Sequence, residues 1–182
     1  MFNREFKFYG KHAIYVKKLT GNIAINKQDN TKVFNRNIDV LLFSGIIGII
    51  YGRKASVDRT KDENGQIPDA HILKDTMIGE GESLNFIYEI IMILHDKNSI
   101  DIETRIERAF KYYNKEDEFK KKCFEIYNQY VLGGVEVLYE KIINESVDLE
   151  DYMNNLYEFL YEFNTKYNLI KGDEELKYFY NN

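Results

Sequence analysis

Hydrophobic side chains recur at helical spacing along most of the chain. From Lys11 to Thr20, Ala13, Ile14, Val16 and Leu19 fall near one face, and Gly21-Asn22 ends the segment. Ile23-Ala24-Ile25 and Lys32-Val33-Phe34 then flank the polar run Asn26–Thr31, the pattern of a short N-terminal β-hairpin. Asp39 is placed to cap a helix through Tyr51, with Gly52 as its stop. That helix is apolar nearly all round (Val40, Leu41, Leu42, Phe43, Ile46, Ile47, Ile49, Ile50), which predicts a position in the middle of the fold. Gly45 and Gly48 share a face with Leu41. Each costs about 1 kcal/mol against alanine inside a helix, so close approach of a neighbouring helix must offset them.

Residues 56–81 are polar, contain glycine and hold Pro68, which predicts a long loop with one helical turn at most. Ser83 is placed to cap a second apolar helix, Leu84–Leu94, and a third begins near Asp101 with Ile102, Ile106, Phe110 and Tyr113 on one stripe. The next runs from about Glu116 to Ile143. Phe119, Cys123, Ile126, Tyr130, Gly134 and Val137 stay in phase across Gly133-Gly134. Phase continuity argues for an intact helix, whereas the two glycines argue for a bend or a close backbone contact, and both readings stay open. Asp148 is placed to cap the last helix, with Tyr152, Leu156, Phe159, Leu160, Phe163 and Tyr167 on one face and Tyr157 and Tyr161 forming a second, exposed aromatic strip. The expected fold is mainly α: a single-domain bundle of about six helices over 1–182. Within it lie a basic N-terminal segment (1–37), the polar loop (56–81) and an aromatic-rich terminal helix (148–170).

Composition narrows the class. The 182 residues are 44 % apolar and 30 % charged, enough to bury a sizeable core. One cysteine and three histidines exclude a disulfide framework and a Cys/His zinc module. The first residues lack the apolar stretch of a secretory signal, and the longest apolar run, Ile38–Tyr51, contains Asp39 and falls short of the ~20 residues of a membrane span. A soluble cytoplasmic protein is expected.

The net charge of −5 conceals an asymmetry. Residues 1–60 carry 11 Lys/Arg against 4 Asp/Glu, a balance of +7, and residues 61–182 carry −12. One end is thereby suited to a polyanion or an acidic partner, the plainer alternative being solvated faces of differing sign. Lys17, Lys18, Lys32, Arg36, Arg53, Lys54 and Arg59 are the candidates for nucleic-acid or partner binding. They cluster in sequence with Lys7, Lys11 and Lys27 around the central helix, interleaved with Phe6, Phe8, Tyr9, Tyr15 and Phe34. Arg53-Lys54 also follow a helix end, where cations satisfy the macrodipole. Tyr157 and Tyr161 are the candidates for contact with a protein partner.

Catalytic patterns are sparse. There is no G-x-S-x-G elbow, no H-E-x-x-H and no Walker lysine loop, and Gly45-x-x-Gly48-x-x-x-Gly52 lies inside an apolar helix. Cys123 sits on the core stripe of its helix, the setting of a packed, inert thiol. His95 at a helix end reads as a cation near the negative pole of the dipole. The loop residues Asp58, Asp62, Glu63, Asp69 and His71 are oxygen-rich but match neither an EF-hand nor a two-histidine zinc site. A nuclease would use Asp69 with Glu118-x-Lys120, yet that signature needs strands where these residues predict a helix. No catalytic residue, metal site or cofactor is expected.

Three blocks resemble one family. Arg36-Asn37-Ile38-Asp39-Val40-Leu41-Leu42-Phe43-Ser44-Gly45-Ile46-Ile47-Gly48-Ile49-Ile50-Tyr51-Gly52-Arg53-Lys54 is similar to the "D-V-hydrophobic…G-x-x-x-G-R-K" segment of small DNA-phosphorothioation-associated (Dnd-system-associated) accessory proteins. Leu84–Ile91 resembles that family's "L-I-Y-x-hydrophobic-A" helix without the final alanine, and Tyr130–Leu138 its "Y-x-x-G-G-x-x-x-L" segment. The blocks are helix-packing segments in the family's order. The resemblance implies a small non-catalytic component of a bacterial defence island, working beside larger ATPase (SMC-like among them) or nuclease subunits that act on DNA. The expected function is therefore an accessory subunit of an anti-phage complex, with the basic N-terminal third facing DNA or an acidic surface. The alternatives are a metal-dependent nuclease using Asp58, Asp62, Asp69 and His71, and a homodimeric transcriptional regulator.

Overall fold

Phe6-Lys7-Phe8-Tyr9 and Asp69-Ala70-His71-Ile72 each alternate apolar and polar, and they find each other across sixty residues. The computed structural model describes residues 2–21, 32–111, 115–144, 146 and 149–167. In it β1 (Phe6–Tyr9) pairs antiparallel with β2 (Asp69–Ile72), Phe6 opposite Ile72 and Tyr9 opposite Asp69. Phe6, Phe8, Ala70 and Ile72 are buried, as the two-residue period of a half-covered sheet requires. The hairpin expected at 23–34 is a different matter: residues 23–31 lie outside the described residues, and Lys32–Phe34 forms no strand. Phe34 instead donates its N–H to the Leu19 carbonyl (3.1 Å). Of the expected loop 56–81, residues 56–68 run without helix or strand, and the rest supplies β2 and a short helix, α3 (Lys74–Gly79).

The fold is mainly α, with seven α-helices among the described residues and this one two-stranded sheet. Helix α1 (Gly10–Thr20) leaves β1 without a linker and buries His12, Ala13, Val16 and Leu19. Helix α2 (Asn37–Tyr51) begins two residues before the expected cap. Asp39 reaches back from within the first turn, accepting from the Arg36 N–H (3.0 Å), and Gly52 ends the helix at φ +63°. It buries Ile38, Val40, Leu41, Ile47 and both glycines, while Phe43 stands outward beside Phe34 with ring centroids 5.4 Å apart.

Against α2 lies α6 (Asp117–Leu138), unbroken through Gly133-Gly134 and continued by one π-helical stretch, Tyr139–Ile143. The open question at the double glycine resolves as a close backbone contact with no break, because Gly134 meets α2 and Gly133 meets the Arg53 backbone. Helix α4 (Gly81–Leu94) buries Leu84, Ile87, Tyr88, Ile91 and Met92 on the same core, and Cys123 is buried there as expected. Helix α5 (Ile102–Phe110) is N-capped by Asp101, which accepts from Thr104 N–H (2.8 Å). It is held to α4 by Arg105 Nη1 donating to the Ile93 carbonyl (2.6 Å) and Tyr88 OH donating to the Arg108 carbonyl (2.7 Å). Its apolar stripe has the expected period, but Ile102, Ile106 and Phe110 all face outward. Tyr113 lies outside the described residues.

The chain divides into two compact units, Met1–Glu140 and Lys141–Asn182. In the second, α7 (Leu149–Tyr167) buries Tyr152 and Phe159. Asp148, its expected cap, lies outside the described residues. Lys141 pairs with Glu162 (2.6 Å), and Asn155 Nδ2 donates to Ser146 Oγ (3.0 Å). Leu160, assigned from its spacing to the inward face, is exposed together with Met153, Tyr157 and Tyr161.

Candidate functional site

The basic residues of the N-terminal third separate into two sets. Arg53 donates from Nε and Nη2 to Glu136 Oε2 (3.3 and 3.2 Å) and from Nη2 to Glu140 Oε1 (3.1 Å). Lys54 pairs with Asp96 (3.4 Å) and lies over the Tyr130 ring. Arg36 is shared between Asp39 (2.7 Å) and Glu80 (3.2 Å). These three serve the fold itself. Lys17, Lys18, Lys32 and Arg59 have no carboxylate partner among the described residues. Lys18 donates to Tyr139 OH (3.2 Å), and the Arg59 guanidinium lies over the Tyr9 ring. Lys17 and Lys18 occupy the last turn of α1, beside the Leu19 carbonyl that receives Phe34.

The centre of the charged network is Glu136, a residue that charge counting along the N-terminal third missed. Only 6 % exposed, it takes Lys11 Nζ at 2.8 Å and His12 Nε2 at 3.2 Å on Oε1, and Arg53 on Oε2. Burial by itself pushes its carboxyl up, but Lys11, Arg53 and His12 outweigh burial and hold it below the usual glutamate range. Burial pulls His12 below the ordinary histidine range against the pull of Glu136, so its neutral form donates from Nε2 and leaves Nδ1 without a partner among the described residues. The signal was present in the sequence: Glu136 is the one carboxylate in Val131-Leu132-Gly133-Gly134-Val135-Glu136-Val137-Leu138, and a carboxylate in an apolar run needs cations brought to it. This arrangement ties α1, the end of α2 and α6 together.

The acidic loop does not converge. Asp58 accepts from the Lys11 N–H (2.5 Å) and from Thr60 Oγ1 (2.6 Å), and Asp62 from the N–H groups of Asn64 and Gln66 (2.9 Å each). Among the described residues no group of three or more His, Cys, Asp or Glu side chains is placed to hold a metal ion. His71 is instead gripped on both ring nitrogens, Nδ1 by Glu5 and Nε2 by Asp69, at 2.6 Å each. These two bonds, Asp69 first, raise its pKa and favour the imidazolium. Glu118 pairs with Lys122 and Lys120 with Asp117, both along the first turns of α6. His95 departs from expectation: it is buried, with Tyr130 OH 3.2 Å from Nδ1, and burial together with Lys54 lowers its pKa, so the cationic form is disfavoured.

Two exposed apolar features remain. On α7, Tyr157 and Tyr161 stack with centroids 6.2 Å apart and are exposed, as their spacing predicts. Between α4 and α5 runs a groove of about 280 Å³ lined by Phe86, Glu89, Ile90, Ile93, Leu94 and Phe110. Phe86 is 62 % and Phe110 55 % exposed. No known family, characterised protein or solved structure matches this chain. Among the described residues no helix is long and apolar enough to cross a membrane.

Proposed function

We propose that the chain is a non-catalytic accessory subunit that docks on a larger protein. The observation that carries this reading is the outward apolar face of α4 and α5, where two phenylalanines stand more than half exposed. Large apolar side chains grouped this way mark interaction surfaces. The resemblance of residues 36–54, 84–91 and 130–138 to Dnd-associated proteins supplies a setting: a cytoplasmic bacterial anti-phage complex whose large subunit is a DNA-directed ATPase, SMC-like among them, or a nuclease. Lys17, Lys18, Lys32 and Arg59 are the cations left to meet phosphate; Tyr157 and Tyr161 offer a second protein contact.

Co-expression of the tagged chain with the products of neighbouring genes tests this. Stable co-elution with one of them is expected, with loss of the salt dependence of any DNA binding when Lys17, Lys18 and Lys32 are changed to Glu. A chain that elutes alone in every pairing, or mutation-sensitive turnover by the isolated chain, overturns the reading.

A further inference from the structure

The groove between α4 and α5 is specific enough to define its occupant, granted the docking function above. We infer that it receives one amphipathic helix of a partner protein, apolar where it enters and basic at the edge that meets Glu89. From Phe86 to Leu94 the groove follows α4 for about 12 Å at ~1.5 Å per residue, room for two turns of a second helix laid along it. Five of its six lining side chains are hydrocarbon, and none is a hydroxyl or amide that would orient a small polar ligand. Its one charged lining residue, Glu89, has no cation partner among the described residues. Glu82 on the same face of α4 and Glu103 beside Ile106 have none either.

Charge selects the partner over a second copy. A second copy would bring either α7, which carries Glu150, Asp151, Glu158 and Glu162 against Lys166, or its own α4–α5 face with the same Glu82, Glu89 and Glu103. Either would set like charge against Glu89, whereas a Lys/Arg-flanked helix sets opposite charge there.

The probe is a labelled 16-residue helical peptide with leucines at i, i+4, i+7 and i+11 and lysines on its polar face, compared with its Lys→Glu counterpart by fluorescence anisotropy. The lysine peptide is expected to bind saturably and at least about tenfold tighter than the glutamate peptide. Glu89→Lys should reverse that order. Phe110→Asp should abolish binding, with Phe86→Lys as a second variant if the first misfolds; both positions are exposed. Equal binding of the two peptides, an order unchanged by Glu89→Lys, or a homodimer that Phe110→Asp dissociates each overturns the inference. If the peptides behave as expected but no neighbouring gene product co-elutes, the groove stands and the wider complex falls. A co-eluting product held as tightly by Phe110→Asp as by wild type means the reverse.

Discussion

Gly48 and Gly134 meet where α2 crosses α6, and neither has room for a β-carbon. One added to Gly48 would overlap the Tyr130 carbonyl, and one added to Gly134 would overlap the Ser44 carbonyl. The obstacles are backbone atoms, which cannot rotate away as a side chain can. The contact offsets the intrinsic helix cost of both glycines by letting the two helices touch along their main chains.

Gly134→Ala should therefore destabilise by about 3 kcal/mol or more, beyond ordinary overpacking. Gly79→Ala, where nothing lies within 4 Å of the added carbon, should be neutral or slightly stabilising. Urea unfolding midpoints of the two variants make the comparison.

Removing the carboxylate at Glu136 takes the charged acceptor from Lys11 and the His12 imidazole and leaves Arg53 with Glu140 alone. Glu136→Gln is expected to cost about 2–4 kcal/mol. Arg53→Ala, which leaves Lys11 and His12 on the carboxylate, should cost less, on the order of 1–2 kcal/mol. Neither Arg53→Ala nor Lys54→Ala should alter DNA retention beyond its effect on stability, since both cations already have partners. Equal losses of DNA binding for Arg53→Ala and Lys17→Glu would refute this division.

The three histidines titrate in opposite senses. His12 and His95 have lowered pKa values, so the stability tied to their neutral forms is present above about 6.5 and is lost as pH falls through the folded values. His71 is raised, so its contribution is complete below about 6.5 and is lost as pH rises through the folded value. Proton NMR titration should place His71 above 6.5 and the other two below. His71→Gln should flatten the alkaline side of the stability profile and also weaken the acid side, because the His71 hydrogen bond is the first cause of the lowered pKa of Glu5 and of Asp69.

Burial raises the Cys123 thiol above its ordinary value. Its labelling by an aromatic disulfide reagent should be negligible in the native protein and follow global unfolding in urea. Rapid stoichiometric labelling without denaturant would contradict the packing.

The long helices were legible because their apolar periods run for three or more turns, and Gly45 and Gly48 called for a close neighbour without naming it: Gly48 meets α6, whereas Gly45 faces Ile87 of α4. The sheet was not, because each strand has four residues and β2 is hidden in a polar segment beyond Pro68; only β1, sixty residues away, gives Ala70 and Ile72 something to pair with. Periodicity located the stripe of α5 without its direction: Ile102, Ile106 and Phe110 read the same whether this chain covers them or leaves them bare. For the cations, local sequence shows a charge but not its distant partner. Arg53 looks like surface until Glu136 is brought beside it, and Lys54 until Asp96 is.

The separation between His12 and Glu136, 124 positions, has a consequence for synthesis. At ~5–20 residues per second, roughly 6–25 s pass between the two residues being joined to the growing polypeptide. Over that interval Phe6 and Phe8 wait for β2, which is complete once Ile72 is joined about halfway through, and the imidazole waits for its carboxylate to the end. The segment of β1 and α1 is thus enclosed in two stages, its sheet partner first and its buried acid second.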